Sequence, residues 1–223
     1  MLAGGFCGCA KEPQSTVTDK PQGQSTPGGE QGDPATPEPV KDTLVFSINA
    51  DIVSTDCHMA RDTVTSIVQR QMYDTLVQDQ PGEGLIPGLA ESWEFSADNM
   101  QLTFKLREGV KFHNGDTMTA EDVAFSLNRA IESSFTSSYS GTMERAEVVD
   151  STHVTLYMKQ AFGPVLQCLT VPCLGIVSQR AVEELGDEGF AAAPVGTGPY
   201  KFVEWKSGEK IVLEAFDEYY RGV

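Results

Sequence analysis

The stretch Gln101–Val123, QLTFKLREGVKFHNGDTMTAEDV, constrains the fold more tightly than any other part of the chain. Leu102, Phe104 and Leu106 alternate with polar residues, the period of a strand with one buried face. Trp93 and Phe95 alternate just before them, and Ala97-Asp98-Asn99 separates the two runs with residues that favour turns. The pattern predicts two adjacent strands, with a short third carrying Val110 and Phe112. Asn114-Gly115-Asp116 is a strong turn signal. Thr119 with Asp122 three residues later resembles a capping box, with Asp in place of the usual Glu or Gln. Val123, Leu127 and Ile131 then recur at four-residue spacing, predicting a helix over about 120–131. No recognisable catalytic group interrupts this pattern, so the stretch reads as scaffold.

The rest of the folded part reads as a mixture of helices and strands. Leu44, Phe46 and Ile48 alternate in LVFSINA, predicting a strand over 44–50. Val64, Ile67, Val68, Met72 and Leu76 have the spacing of an amphipathic helix over 62–77, with Asp62 or Thr63 as its cap. Residues 132–142, rich in Ser with Phe135 and Tyr139, read as a loop. Val148 and Val149, a turn at Asp150-Ser151, and alternating Val154, Leu156 and Met158 predict a strand pair. Phe162–Leu169 is a short helix candidate, LGIV (174–177) a buried strand, and Ser178 the cap of a helix through Leu185. GTGPYKFVEW and KIVLEAF predict two strands joined across Lys206-Ser207-Gly208. The class is α+β or α/β with mixed sheets, and no internal repeat is visible.

Composition bounds what such a chain can do. A formal charge of −16 over 223 residues argues against binding a nucleic-acid backbone, which needs clustered Lys and Arg. No run of about 18 apolar residues exists to form a transmembrane helix. The opening MLAGGFCGCAKEPQST resembles the end of a bacterial lipoprotein signal whose front half is missing. Cys9 between Gly8 and Ala10 fits the lipid-acceptor position better than Cys7 after bulky Phe6. The alternative is a disordered N-terminus with two incidental thiols. Residues 10–43 hold six Pro and four Gly, with no aromatic residue, Leu, Ile or Met. Such a segment buries too little apolar surface to offset its ordering entropy, and reads as a disordered tether.

Cysteine and histidine usage gives little chemistry. Cys57, Cys168 and Cys173 are an odd set, against a disulfide framework; Cys168 and Cys173 are close enough in sequence to pair or to remain free buried thiols. Cys57-His58 has no partner at metal-ligand spacing and is a weak metal signal. His113 reads as structural in its strand-turn setting. No Gly-x-Ser-x-Gly elbow, His-Glu-x-x-His or phosphate loop is present, so no enzyme, cofactor or metal site is expected.

QMYDTLV, the long LIPGLAESWEFSADNMQLTFKLREGVKFHNGDTMTAEDVAFSLNRA, VGTGPYKFVEW and FDEYYRG together resemble bacterial extracellular solute-binding proteins of family 5, over essentially all of 44–223. The resemblance implies a periplasmic-binding-protein-like first lobe with an inserted small domain at about 65–168, and the second lobe missing. On this reading residues 1–9 are a truncated lipoprotein signal with its acceptor Cys, 10–43 a tether, and 44–223 an incomplete first lobe. The implied role is the substrate-binding component of an ABC importer. It would be a monomer, extracytoplasmic, lipid-anchored to the cell membrane, and would capture oligopeptides or dipeptides for membrane permease subunits. A nickel-chelate binder of the same family, or a surface sensory or adhesion module, is the alternative.

The resemblance also places two ligand-facing sites. At Arg61, Asp62 and Thr63, main-chain groups would pair with an extended peptide; at Tyr139, an aromatic ring would lie against the ligand. The plainer readings are a helix start with a solvated ion pair and a lid over the small domain. Thr55-Asp56-Cys57 departs from the family's Leu-Asp-Pro, which predicts a less rigid turn into the first helix.

Overall fold

The computed structural model describes residues 43–222. Both candidate lipid acceptors, Cys9 and Cys7, and the tether except Thr43 lie outside the described residues. The elements in chain order are α1 (Thr63–Met72), β1 (Val77–Gln80), β2 (Gly84–Pro87), β3 (Ala90–Phe95) and β4 (Gln101–Leu106). There follow α2 (Ala120–Glu132), α3 (Ser137–Ser140), β5 (Met143–Asp150), β6 (His153–Met158) and α4 (Val165–Cys168). The last are α5 (Gln179–Ala192), β7 (Tyr200–Lys206) and β8 (Lys210–Ala215). Helices and sheets mix as the sequence predicts, but every strand pair among the described residues is antiparallel.

The central sheet has the order β3-β4-β6-β5. Phe104 pairs with Trp93 on one side and Val154 on the other, and Leu156 lies between Leu102 and Ala146. This register puts Leu102, Phe104, Leu106, Val154, Leu156 and Met158 on one buried face, where they pack with Val123 and Leu127 of α2. On the outer strand β5, Val148 and Val149 are exposed instead of joining the core. Charged Glu144, Arg145, Glu147 and Asp150 and two register shifts guard this edge against further pairing. A second core gathers Ile52, Val68, Met72, Val177, Val182 and Phe190.

The capping box at α2 forms as the sequence predicts. Asp122 takes the Thr119 amide at 2.9 Å, and its own amide donates to the Thr119 hydroxyl at 3.3 Å. Asp122 has a second task there: its other oxygen accepts the Gln179 amide that opens α5, at 2.9 Å. One carboxylate thus terminates two helices, each of which exposes unpaired N–H groups at its start.

Six predicted elements differ from the structure, in extent or in type. Residues 44–50 form no strand: alternation makes a strand only where a neighbour takes its N–H and C=O groups, and none of the described strands pairs with it. LGIV is buried but is no strand. The Ile176 amide donates to the Asp74 carbonyl at 3.0 Å, and the Ser126 hydroxyl serves both the N–H and C=O of Val177. The third run, at Val110–Phe112, reduces to a single bridge between Lys111 and Thr117. The helix that the sequence ends at Leu185 continues to Ala192 past Gly186, whose φ of 68° breaks the helical path locally. α1 stops at Met72, so Leu76 joins the sheet core rather than a helix face. The loop predicted over 132–142 contains the single turn of α3.

The motifs FHNG and VGTGPY prove to be one structure. His113 donates its amide to the Gly196 carbonyl at 2.9 Å, its Nδ1 accepts the Gly196 amide at 3.3 Å, and its Nε2 lies 3.0 Å from the Gly198 carbonyl. These contacts fix the neutral Nε2–H tautomer, and burial lowers the ring pKa to about 4. A Cβ on Gly196 would sit 2.1 Å from the Met72 carbonyl oxygen, so only glycine lets the loop lie against the end of α1.

FDEYYRG docks in a similar way. Arg221 donates to the Pro87 carbonyl at 2.5 Å and stacks on Tyr220, and the Tyr219 hydroxyl lies 3.5 Å from the Asp74 carboxylate. Asp74 also accepts from Gln78 at 2.7 Å, while its second oxygen is buried without a partner. Burial pushes this carboxyl up to about 7.

Two outcomes follow from these packings. Gly196→Ala should cost at least about 3 kcal/mol in urea unfolding, because the new Cβ meets backbone that cannot yield. For Asp74, the folded pKa of about 7 exceeds the ordinary 3.8. Its stabilising proton is therefore fully present below pH 3.8 and lost as pH rises through 7. His113 has a depressed pKa and acts in the opposite sense, so the comparison must be between variants. Asp74→Asn should gain stability relative to the parent by roughly 2 kcal/mol between pH 5 and pH 8, in paired thermal melts; a pH-independent difference would contradict the burial argument.

Candidate functional site

The turn leading into α1 is held by a buried polar cluster. Asp56 caps the 3-10 turn at 57–59, accepting the His58 amide at 2.9 Å. Arg129, in the last turn of α2, grips the same carboxylate with both ends of its fork, Nη1 to Oδ1 at 3.0 Å and Nη2 to Oδ2 at 2.6 Å. The Asp56 side chain is 0% exposed and that of Arg129 12%. Arg129 also donates to His58 Nδ1 at 2.9 Å and to Asp187 of α5 at 2.8 Å. The remaining His58 nitrogen, Nε2, donates to the Gly175 carbonyl at 3.0 Å, so the ring is neutral. Burial, reinforced by the Arg129 charge, lowers its pKa to about 4. Gln69 of α1 and the Tyr73 hydroxyl complete the cluster, donating to the carbonyls of Asp56 and Thr55 at 3.1 Å and 3.0 Å. These bonds hold the turn at Thr55-Asp56-Cys57, where the sequence lacks the proline.

The same geometry weighs on metal binding. Asp56, Cys57 and His58 place one ligand atom each within 4.8 Å of one another. Both carboxylate oxygens already hold Arg129 and both ring nitrogens are used. Burial raises the Cys57 thiol well above its ordinary pKa, which keeps it protonated. A divalent ion would have to displace the arginine, so these residues do not fit a metal centre. Cys168 and Cys173 are free thiols.

In front of this cluster lies the segment that the resemblance marks as ligand-facing. Asp62 caps α1 by accepting the Thr65 amide at 2.9 Å, and its other oxygen is buried without a partner. Burial raises its carboxyl, but bonds from the Thr65 hydroxyl and amide outweigh this, so the net shift is downward. Thr63 is the exposed first residue of the helix. Arg61 is exposed and reaches across to the Ser138 hydroxyl of α3 at 2.5 Å. Tyr139, the next residue, is half-buried against the sheet core, with Phe135 exposed nearby in sequence. The contact between Arg61 and Ser138, 77 residues apart, links the two expected segments. Reading the sequence missed the cluster behind them, because the Asp56–Arg129 pair spans 73 residues and carries no local motif.

The cluster makes a direct prediction. Arg129→Ala leaves a fully buried carboxylate without its cation and should cost about 3–5 kcal/mol in equilibrium unfolding. Asp187→Ala removes only a partner that is 65% exposed and should cost under about 1 kcal/mol.

Comparison with known proteins identifies the fold. The family model for bacterial extracellular solute-binding proteins, family 5 middle, matches residues 84–223. The glutathione-binding protein GsiB of Pectobacterium atrosepticum is 32% identical over 181 residues, which cover 79% of this chain and 35% of that protein. DppA, an ABC transporter-associated periplasmic binding protein of Helicobacter pylori solved with the peptide STSA, superposes with a TM-score of 0.69 at 29% identity, over 77% of this chain and 38% of that one. NikZ of Campylobacter jejuni, solved with Ni(L-His), gives 0.71 at 28% identity, over 81% and 36%. The chain spans about a third of the length of the curated relatives it matches, 35% for GsiB. With the fold, the motifs and the family match in agreement, the chain belongs to the bacterial extracellular solute-binding proteins of family 5.

Proposed function

We propose that this chain is the first-lobe portion of the substrate-binding component of an ABC importer. It captures dipeptides or oligopeptides in a cleft between two lobes and delivers them to membrane permease subunits. The observation that supports the reading is the bond from Arg61 to Ser138, which joins the Arg61–Thr63 segment to α3, the turn that carries Tyr139. Main-chain groups of Arg61–Thr63, the segment leading into the capped first turn of α1, would pair with the backbone of an extended peptide. Pairing through the main chain tolerates varied side chains, as peptide import requires. A structural relative solved with the peptide STSA and a curated relative that binds glutathione support the same ligand class.

The protein works outside the cytoplasm, tethered by 10–43 to a lipid on Cys9 or Cys7, with about 65–168 as the inserted small domain. It acts as a monomer and performs no chemistry on its ligand. A nickel-chelate reading rests on the likeness to NikZ; the occupied donor atoms at Asp56, Cys57 and His58 give it no support.

The test is calorimetry on the protein purified from its own cells, against a mixed pool of short peptides and against nickel–histidine. Peptide binding with no response to nickel–histidine is expected. Silence with the pool and tight binding of the nickel chelate would overturn the peptide assignment.

A further inference from the structure

Phe216–Gly222, the segment after β8, belongs to no helix or strand and is held by separate anchors. The Phe216 amide donates to the Pro199 carbonyl at 2.9 Å, and its ring meets that of His113 edge-on, with centroids 5.1 Å apart. Farther along, the Tyr220 ring packs with the guanidiniums of Arg107 and Arg221, each 5.3 Å from its centre, and Arg221 donates to the Pro87 carbonyl. Between these anchors the Tyr219 hydroxyl lies against the Asp74 carboxylate at 3.5 Å.

Asp74 is a poorly satisfied acid. Asp56, also buried, is gripped by Arg129, whereas the Asp74 carboxylate takes hydrogen bonds from Gln78 and Tyr219 alone and leaves Oδ2 buried without a partner. Gln78 lies on β1, so Tyr219 is the partner that the segment brings. A cavity of about 170 Å³ adjoins Asp74, with Tyr219 and Tyr73 in its wall. Arg70 and Asp79, both exposed and of opposite charge, also line it; Thr170, Pro172 and Pro199 of the neighbouring segments add no charge. Burial outweighs the opposing charge of Arg221 and holds the carboxyl at about 7. Burial also raises Tyr73, Tyr219 and Tyr220, which keeps these phenols neutral.

We propose that Asp74 is a proton-operated latch for Phe216–Gly222: the protonated carboxyl keeps the segment docked, and loss of the proton favours its local release while both cores stay folded. The latch does not depend on the peptide-binding reading. A buried carboxylate without a cation is costly, and moving Tyr219 away admits water to it. Released into water, Asp74 returns to the ordinary 3.8, so the docked state binds the proton more tightly. Its contribution to docking is fully present below pH 3.8 and is lost as pH rises through 7. Irregular backbone with few hydrogen bonds of its own opens at lower cost than the sheet and helices behind it. His113, which faces Phe216, titrates in the opposite sense, since burial holds its ring neutral down to about 4.

The test is hydrogen–deuterium exchange on the parent protein and Asp74→Asn, both purified from the native cells, at pH 5 and pH 8. Rates are taken relative to intrinsic exchange at each pH, and the variant cancels the contribution of His113. Between pH 5 and pH 8 the amides of Phe216, Tyr219 and Gly222 should lose at least about tenfold more protection in the parent than in Asp74→Asn. Amides of β4, such as Leu102 and Phe104, should show no such difference. Equal pH dependence of the segment in the two proteins would overturn the latch. So would a loss of protection that reaches β4 by the same factor, because Asp74 would then act on the whole fold and not on the segment.

Discussion

The structure depends on one buried ion pair, Arg129 with Asp56. A carboxylate wholly removed from water is tolerable only when its oxygens are paired, and here a bidentate guanidinium, the His58 amide and the cap geometry provide that pairing. The consequence is positional. Arg129 ends α2, which packs on the central sheet; Asp56 begins the turn that leads into α1. Joining them fixes the second core against the first. The remaining polar face of α2 extends the same logic, with Asp122 opening α5 and Ser126 holding Val177. One helix therefore turns its apolar residues to the sheet and uses a row of polar ones to pin three segments of irregular backbone.

This arrangement explains what the sequence could and could not disclose. Local patterns were legible. The alternation around Phe104 gave β4 its buried face, the Thr119–Asp122 spacing marked the start of α2, and Lys206-Ser207-Gly208 marked the β7–β8 turn. Patterns whose meaning depends on a distant partner were not. LGIV looks like a strand because it is apolar, but its backbone is satisfied by Ser126 and Asp74. The β1–β2 hairpin has no alternating signal because its residues are largely polar and only Val77 is fully buried, with Gln78, Leu85 and Ile86 partly covered. FHNG and VGTGPY were each readable as motifs, yet their joint purpose appears only when His113 is seen bonded to Gly196 and Gly198. The proposal of Arg61–Thr63 and Tyr139 as ligand-facing rests on resemblance to the family. The cluster that stiffens them left no signature, since Asp56 and Arg129 look like any solvated pair when read along the chain.

Stiffness and recognition are divided between two layers. In the inner layer of Asp56, His58, Gln69, Tyr73 and Arg129 the buried side-chain polar atoms are partnered except Gln69 Oε1, and His58 is held neutral, which leaves little for a metal to bind. The outer layer of Arg61, Thr63, Ser138 and Tyr139 carries spare donors and exposed surface. Such a division suits a protein that captures solutes. For the proposed peptide ligand, a scaffold with ordered backbone would lower the entropy lost on docking, and uncommitted groups at the surface would offer it hydrogen-bond partners.

The most direct test of this account is hydrogen–deuterium exchange on the protein from its native cells, with and without a saturating pool of short peptides. The account predicts that amides at 56–59 are already slow to exchange in the free protein, and that peptides newly protect 61–66 and 135–141. Fast exchange at 56–59 in the free protein, or protection confined to segments away from Arg61 and Tyr139, would contradict it.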